Sequence, residues 1–276
     1  MNEEQEGAVV AESLLDTLGM DALPITPNSV VQAVSCPRFK LVLEKHSFSN
    51  GILGKAIGNS NAAVIYINKN IPNQNRYNFT AAHEIGHVCM HIAVGKKSAF
   101  ECGDREMSSS SPHEDPLEKQ ANGFASGLLM PRALIKPLTD GEITWANIQV
   151  IADRCASSLE ASYRRISNLS RAPSAMIIHR DSGASFARFI ASDNFGFYIK
   201  REPLSYDQKM LSVDVKLDRA PDTSETMDAS DWINPTIKGI TLGTIYASTI
   251  SLENGFLYTL LTYDDDCIED DYGDYS

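Results

Sequence analysis

Two hydrophobic periods alternate along the first half of the chain. Over residues 7–20, GAVVAESLLDTLGM, apolar side chains return at helical spacing as far as Gly19, which predicts an amphipathic helix. ITPNSVVQAV begins a second helix, with Thr26 as its N-cap and Pro27 in the first turn, where a missing N–H costs nothing. The period then drops to two: FKLVLEKHS (39–47) and NAAVIYINKN (61–70) read as strands, with IGNSN as the turn before the second. Helical spacing resumes over about 77–94. The polar, serine-rich GKKSAFECGDREMSSSSPHED (95–115) reads as a mobile loop. PLEKQANGFASGLLM (116–130) sets Leu117, Ala121, Phe124, Ala125, Leu128 and Leu129 on one helix face, and Pro131 stops it.

The second half changes texture. A helical stretch over about 144–170 is followed by short β-like runs: SAMIIHR, ASFARFIAS, FGFYIKR, MLSVDVKLD, GITLGTIYAS and GFLYTLLTY. The expected organisation is an α+β domain over 1–138, a helical segment over 139–172, a β-rich α+β domain over 173–265 and an acidic tail over 266–276. No internal repeat is evident.

Composition narrows the function classes. A hydrophobic share of 43% and a charged share of 22% are those of a soluble globular protein. No apolar run approaches the ~18 residues of a membrane span. Glu3, Glu4 and Glu6 give the N-terminus the wrong charge for a secretory leader. The five cysteines (36, 89, 102, 155, 267) are odd in number, scattered and without a CxxC pair, which suits reduced thiols in a cytoplasm. Of the net charge of −12, seven acids lie in the last thirteen residues, DDDCIEDDYGDYS, which read as a solvated, disordered end. The mildly acidic remainder disfavours tight non-specific nucleic-acid binding, although a local basic patch is compatible with it.

The chemistry concentrates in FTAAHEIGHVCMH (79–91), which holds three of the six histidines at four-residue intervals. On a helix, residues four apart project side by side, so His83 and His87 can share one zinc ion. Glu84 then lies beside the metal without ligating it, placed to take a proton from water. The bland alternative is two core histidines. A catalytic zinc needs a third protein ligand and an open position. His91, His113, Glu114, Asp115 and Glu118 are the candidates. His91 drifts off the metal's side by two turns and reads better as a helix-end residue or a partner of a ligand. Glu118 is chosen, because it lies beside the apolar face that would dock on the HExxH helix. Asn122, one turn on, is placed to orient a ligand histidine.

RYNFTAAHEIGHVCMH followed by EKQANGFASGLLMP resembles the ImmA/IrrE family of zinc metallopeptidases, over roughly residues 10–138. The resemblance implies a compact, thermolysin-like zincin domain, with zinc held by His83, His87 and Glu118 and with Glu84 as general base. It also implies cleavage of a helix-turn-helix repressor in response to stress or DNA damage. An edge strand, for which AAVIYIN is the candidate, would hold the substrate extended. Tyr77, Arg76 and His113 are candidates for stabilising the oxyanion.

Three further expectations are weaker. IADRCASSLEASYRRISNL resembles a helix-turn-helix with a turn over 155–158 and with Arg164 and Arg165 on its second helix; a plain helical hairpin is the alternative. The C-terminal domain resembles a GAF-like sensor by position alone. Cys102 is a candidate inhibitory ligand that folds back onto the open zinc position; an ordinary exposed loop cysteine is the alternative. Set against the peptidase is a non-proteolytic reading: a transcription regulator or antitoxin-like partner that uses a zincin scaffold. The oligomeric state is not legible.

Overall fold

The computed structural model describes residues 1–49, 51–103, 115–180, 182–210, 224–252 and 255–269. It divides into two compact units: Met1–Leu138 with Ile151–Ala161, and Thr139–Val150 with Ser162–Ser276. Among the described residues no helix is long and apolar enough to cross a membrane.

The first unit is a zincin-like α+β domain. Helix α1 (Glu3–Leu18) opens with a capping box: Asn2 accepts from the Gln5 N–H, and the Gln5 side chain accepts from Asn2. Helix α2 (Pro27–Val34) starts on Thr26, whose hydroxyl accepts from the Ser29 N–H, as the Thr-Pro pair predicts. Strands β1 (Lys40–His46), β2 (Ile52–Gly58) and β3 (Ala62–Asn68) precede α3 (Gln74–His87), and β4 (Ala99–Gly103) precedes α4 (Pro116–Leu129) and α5 (Arg132–Ile135). The sheet order is β1-β3-β2-β4, with β1 parallel to β3 and the other pairs antiparallel. Helices α3 and α4 pack together, and α1 packs on α4.

Three expectations change here. Strand β2 is absent from the sequence reading because Gly51, Gly54 and Gly58 dilute its alternation, and IGNSN overlaps its end. β4 lies inside the segment read as a loop; its side chains alternate, with Phe100 and Cys102 buried and Glu101 exposed and ion-paired to Lys55. β3 is not an edge strand. It is bonded on both sides and buries Ala63, Ile65 and Ile67, so among the described residues the sheet's edges are β1 and β4.

Helices α6 (Trp145–Cys155) and α7 (Leu159–Leu169) follow, joined over 156–158. The residues of the second unit are strand-rich: β5 (Ser174–Arg180), β6 (Ser185–Ala191), β7 (Tyr198–Ile199), the short α8 (Tyr206–Met210), β8 (Glu225–Asp228), β9 (Ile233–Asn234), β10 (Thr236–Ile237), β11 (Ile240–Thr241), β12 (Thr244–Leu252) and β13 (Phe256–Thr262). The main sheet is antiparallel and open, in the order β6-β5-β13-β12-β8, over a core that includes Ile177, Phe195, Trp232, Ile245 and Leu261. MLSVDVKLD lies largely outside the described residues. The acidic stretch is not all a solvated end: Cys267 is buried, its carbonyl accepts from the Gly243 N–H at 3.0 Å, and the Glu269 N–H donates to the Thr241 carbonyl at 2.8 Å. The remaining acids, 270–276, lie outside the described residues.

Candidate metal centre

Asn73 caps α3 by accepting from the N–H groups of Asn75 and Arg76, and the helix runs inward until His83, Glu84 and His87 are each 0% exposed. Past His87 the winding loosens into a π-helical turn, Val88–Ile92, rather than the α-helix expected through residue 94. Such turns are rare and cluster at functional sites. Here the turn buries His91 beside His87, with their Nδ1 atoms 3.1 Å apart.

Four donor atoms from three elements converge. His83 Nε2 lies 3.0 Å from His87 Nε2, 3.1 Å from Cys102 Sγ and 3.2 Å from Glu118 Oε2. His87 Nε2 is 3.2 Å from the same carboxylate oxygen and 3.4 Å from the sulfur, and sulfur and oxygen are 3.7 Å apart. These separations are the edges of a nearly regular tetrahedron. A point equidistant from its corners lies about 2 Å from each, close to the ~2.0–2.3 Å of zinc–nitrogen, zinc–oxygen and zinc–sulfur bonds. Two imidazoles, a thiol and a carboxylate therefore form a buried group that can hold a metal ion, and the donor set and geometry fit zinc.

Both histidines are held from behind. His83 Nδ1 meets Asn122 Oδ1 at 2.9 Å, so α4 supplies a donor atom through Glu118 and an orienting partner through Asn122, one turn later. Phe100 stacks on the His87 ring, 3.9 Å between centroids and 15° from parallel. With a metal ion taking its Nε2 lone pair, each ring would carry its proton on Nδ1, where a partner waits.

Without an ion, burial dominates the protonation of this site. It lowers the His87 imidazole to about 4 and also lowers His91. For Glu118 burial acts upward, but hydrogen bonds from His83 and His87 outweigh it and hold the carboxyl well below the usual range. Burial pushes the Cys102 thiol far up, to a protonated form that a divalent cation would reverse by taking a thiolate ligand.

Glu84 differs from its neighbours. Both carboxylate oxygens are buried, and among the described residues neither makes a hydrogen bond of good geometry, although the Cys102 thiol lies close enough to offset part of the effect of burial. Burial raises its pKa to about 8. Gly54 of β2 backs onto this carboxylate, and a Cβ there would overlap Glu84 Oε1. The fold thus buries a poorly bonded carboxylate beside the donor cluster and keeps a bare backbone to make room for it.

The other sequence candidates separate. Asp115 is the N-cap of α4, its carboxylate accepting from the Leu117 N–H at 2.9 Å. His113 and Glu114 lie outside the described residues. Arg76 and Tyr77 sit in the first turn of α3, about two turns from His83. Tyr77 carries the Lys45 ammonium over its ring at 5.2 Å, and burial raises the pKa of its hydroxyl. Cys102 is no loop residue: it belongs to β4 and is fully buried. Arg165 of α7 is also buried, which a side chain offered to DNA would not be. Sequence reasoning missed Gly54, Phe100 and Gln120, whose roles depend on pairing between distant elements.

Residues 36–167 match the Peptidase_M78 family model, described as the IrrE N-terminal-like domain. Among solved structures, a Mycobacterium tuberculosis transcriptional regulator is similar in fold, with a TM-score of 0.53 at 14% identity over 93% of this chain and 75% of that one. No curated protein matches the chain. The family match runs from just before β1 into α7 and takes in all four donors together with Glu84. Over residues 36–167 the chain is therefore similar to the IrrE N-terminal-like domain of the Peptidase_M78 family.

Proposed function

We propose that the protein is a cytoplasmic zinc endopeptidase that cuts a helix-turn-helix transcriptional repressor in response to stress or DNA damage, and that Cys102 holds it inactive beforehand. The observation that carries the enzymatic reading is Glu84: a buried carboxylate without a well-formed hydrogen bond among the described residues, next to four converging donors. A scaffold or binding module has no use for such a group, which costs stability. A protease needs it as its base.

His83, His87 and Glu118 would hold the zinc, with Cys102 as fourth ligand. When bound, the ion supplies Lewis acidity and lowers the pKa of a coordinated water. Glu84 takes a proton from the attacking water and returns it to the leaving amine. Its position beside the donor cluster suits both halves of that task. A substrate strand would add along β4, which among the described residues is paired on one side only, with β2. Because β4 also carries Cys102, the thiol closes the fourth position at the strand where substrate would dock. Closed four-ligand zinc sites are structural and open ones catalytic, so activity requires Cys102 to leave.

None of the five cysteines is in a disulfide, in keeping with a reducing compartment. The strand-rich second unit is read as the sensor that triggers release. It holds a pocket of about 150 Å³ lined by His179, Lys200, Ser205 and Trp232 among others, large enough for a small signal molecule.

The test works whichever protein is the substrate. New protein N-termini are compared in host cells expressing Cys102→Ala or Cys102→Ala/Glu84→Gln. A small set of cuts, led by a helix-turn-helix protein and present only with Glu84 intact, is the expected result. Identical termini in both strains would remove the protease reading.

A further inference from the structure

Behind His87 runs a line of hydrogen bonds that leaves the metal centre and ends at the protein surface. His87 Nδ1 meets His91 Nδ1 at 3.1 Å, and His91 Nε2 meets Gln120 Oε1 at 2.9 Å. The Gln120 amide then donates from Nε2 to Glu6 Oε2 at 2.8 Å. His87 and His91 are fully buried and Gln120 nearly so, whereas Glu6 is exposed on α1. We propose that His91, Gln120 and Glu6 form a positioning chain that fixes the ring orientation and tautomer of His87 for metal binding. The proposal rests on reading the four donors as a metal centre, and not on proteolysis.

The direction of every bond follows from the far end. A carboxylate only accepts, so Glu6 obliges Gln120 to present its NH₂ outward and its carbonyl oxygen inward. That oxygen also only accepts, so His91 must carry its proton on Nε2. The His91 Nδ1 is then a lone pair facing His87, which must place its own proton on Nδ1. What remains on His87 is a bare Nε2 turned toward Cys102, Glu118 and His83, the form a metal requires. The reverse polarity would set the Gln120 carbonyl against the Glu6 carboxylate, two acceptors face to face.

Two further features show that this chain is built into the fold. The π-helical turn after His87 brings His91 to where it meets the His87 ring. The approach of α1 to α4 depends on missing side chains: a Cβ on Gly7 would overlap the Gln120 carbonyl, and one on Gly123 would overlap the Glu4 carbonyl. These close contacts carry Glu6 to Gln120. Helix α1 lies outside the 36–167 family match, so an element of this chain's own N-terminal region reaches the metal ligand.

Zinc affinity is measured on the full chain by competition with a chromophoric chelator, and the visible spectrum of the cobalt-loaded protein is recorded beside it. His91→Phe keeps the bulk but breaks the chain, and should weaken zinc binding about 10–100-fold and shift the cobalt bands. Gln120→Glu sets two carboxylates together and should weaken binding about 5–10-fold. Adding Glu6→Gln to it restores a donor–acceptor pair, and should return affinity to within about twofold of wild type. A merely structural role for these residues predicts no such rescue. Wild-type affinity in His91→Phe would overturn the proposal. So would a Gln120→Glu/Glu6→Gln double variant no tighter than Gln120→Glu alone. A wild-type chain that binds no zinc would defeat the metal centre itself, a distinct outcome.

Discussion

Across β12 and β13 the hydroxyls of Thr249 and Thr259 meet at 2.8 Å, and nearby Ser174 bonds to Ser192 and Tyr163. Among the described residues of the strand-rich unit these buried hydroxyls pair with one another, and its buried ionisable groups, among them Arg165, His179 and Cys267, come singly from separate elements; His179 donates to the Glu202 carbonyl. Between α3, α4 and β4 the opposite holds. His83, Glu84, His87, His91, Cys102 and Glu118 are all buried and all titratable. Hydroxyl pairs stabilise a core at little cost, whereas clustered ionisable groups are costly unless an ion or a reaction uses them. The contrast marks one region as scaffold and the other as a site.

The largest expected effect separates the two regions outright. Glu118→Ala should lower zinc affinity by several orders of magnitude, read by chelator competition, because it leaves three buried donors and an incomplete shell. Near-normal affinity would mean that the carboxylate is not a ligand.

Next is Glu84, where the sign of the pH dependence is fixed. Its pKa in the folded, metal-free chain is about 8, against an ordinary value of 4.5. The folded state therefore holds the proton more tightly, and stability present below about pH 4.5 is lost as pH rises toward 8. Glu84→Gln lacks that loss. Metal-free Glu84→Gln should match wild type near pH 4.5 and exceed it by a few kcal/mol above pH 8, measured by denaturant titration. A constant gap across this range would show that Glu84 is solvated.

Asn122→Leu removes the partner of His83 Nδ1 and should weaken zinc about 10–100-fold without changing metal stoichiometry at saturation. The smallest effect belongs to the other sheet. Thr249→Val leaves the Thr259 hydroxyl without its partner and should cost about 1–3 kcal/mol of stability, with zinc affinity untouched. If Thr249→Val also altered zinc binding, the division between scaffold and site would be wrong.

How much of this is legible in the sequence depends on how local each feature is. The facing of His83 and His87 is a four-residue relation on one helix, and Asn122 is one turn from Glu118, so both can be read from spacing. Cys102 stands out as a ligand candidate, but its position depends on β4 pairing with a glycine-diluted β2 some fifty residues earlier. Alternation in AAVIYIN reveals a strand but not how many neighbours it has, so a central strand reads as an edge. The contact between Glu6 and Gln120 spans 114 positions, and no local pattern announces it.

The central claim is that a zinc ion here is closed by four protein donors, one of them the sulfur of Cys102. Zinc K-edge X-ray absorption on the purified full chain tests it most directly. The account predicts about one zinc per chain, four-coordinate, with one sulfur at about 2.3 Å and three nitrogen or oxygen neighbours at about 2.0–2.1 Å. In Cys102→Ala the sulfur shell should vanish while the metal stays. A wild-type spectrum with no sulfur neighbour, or a Cys102→Ala spectrum that still shows one, would contradict it.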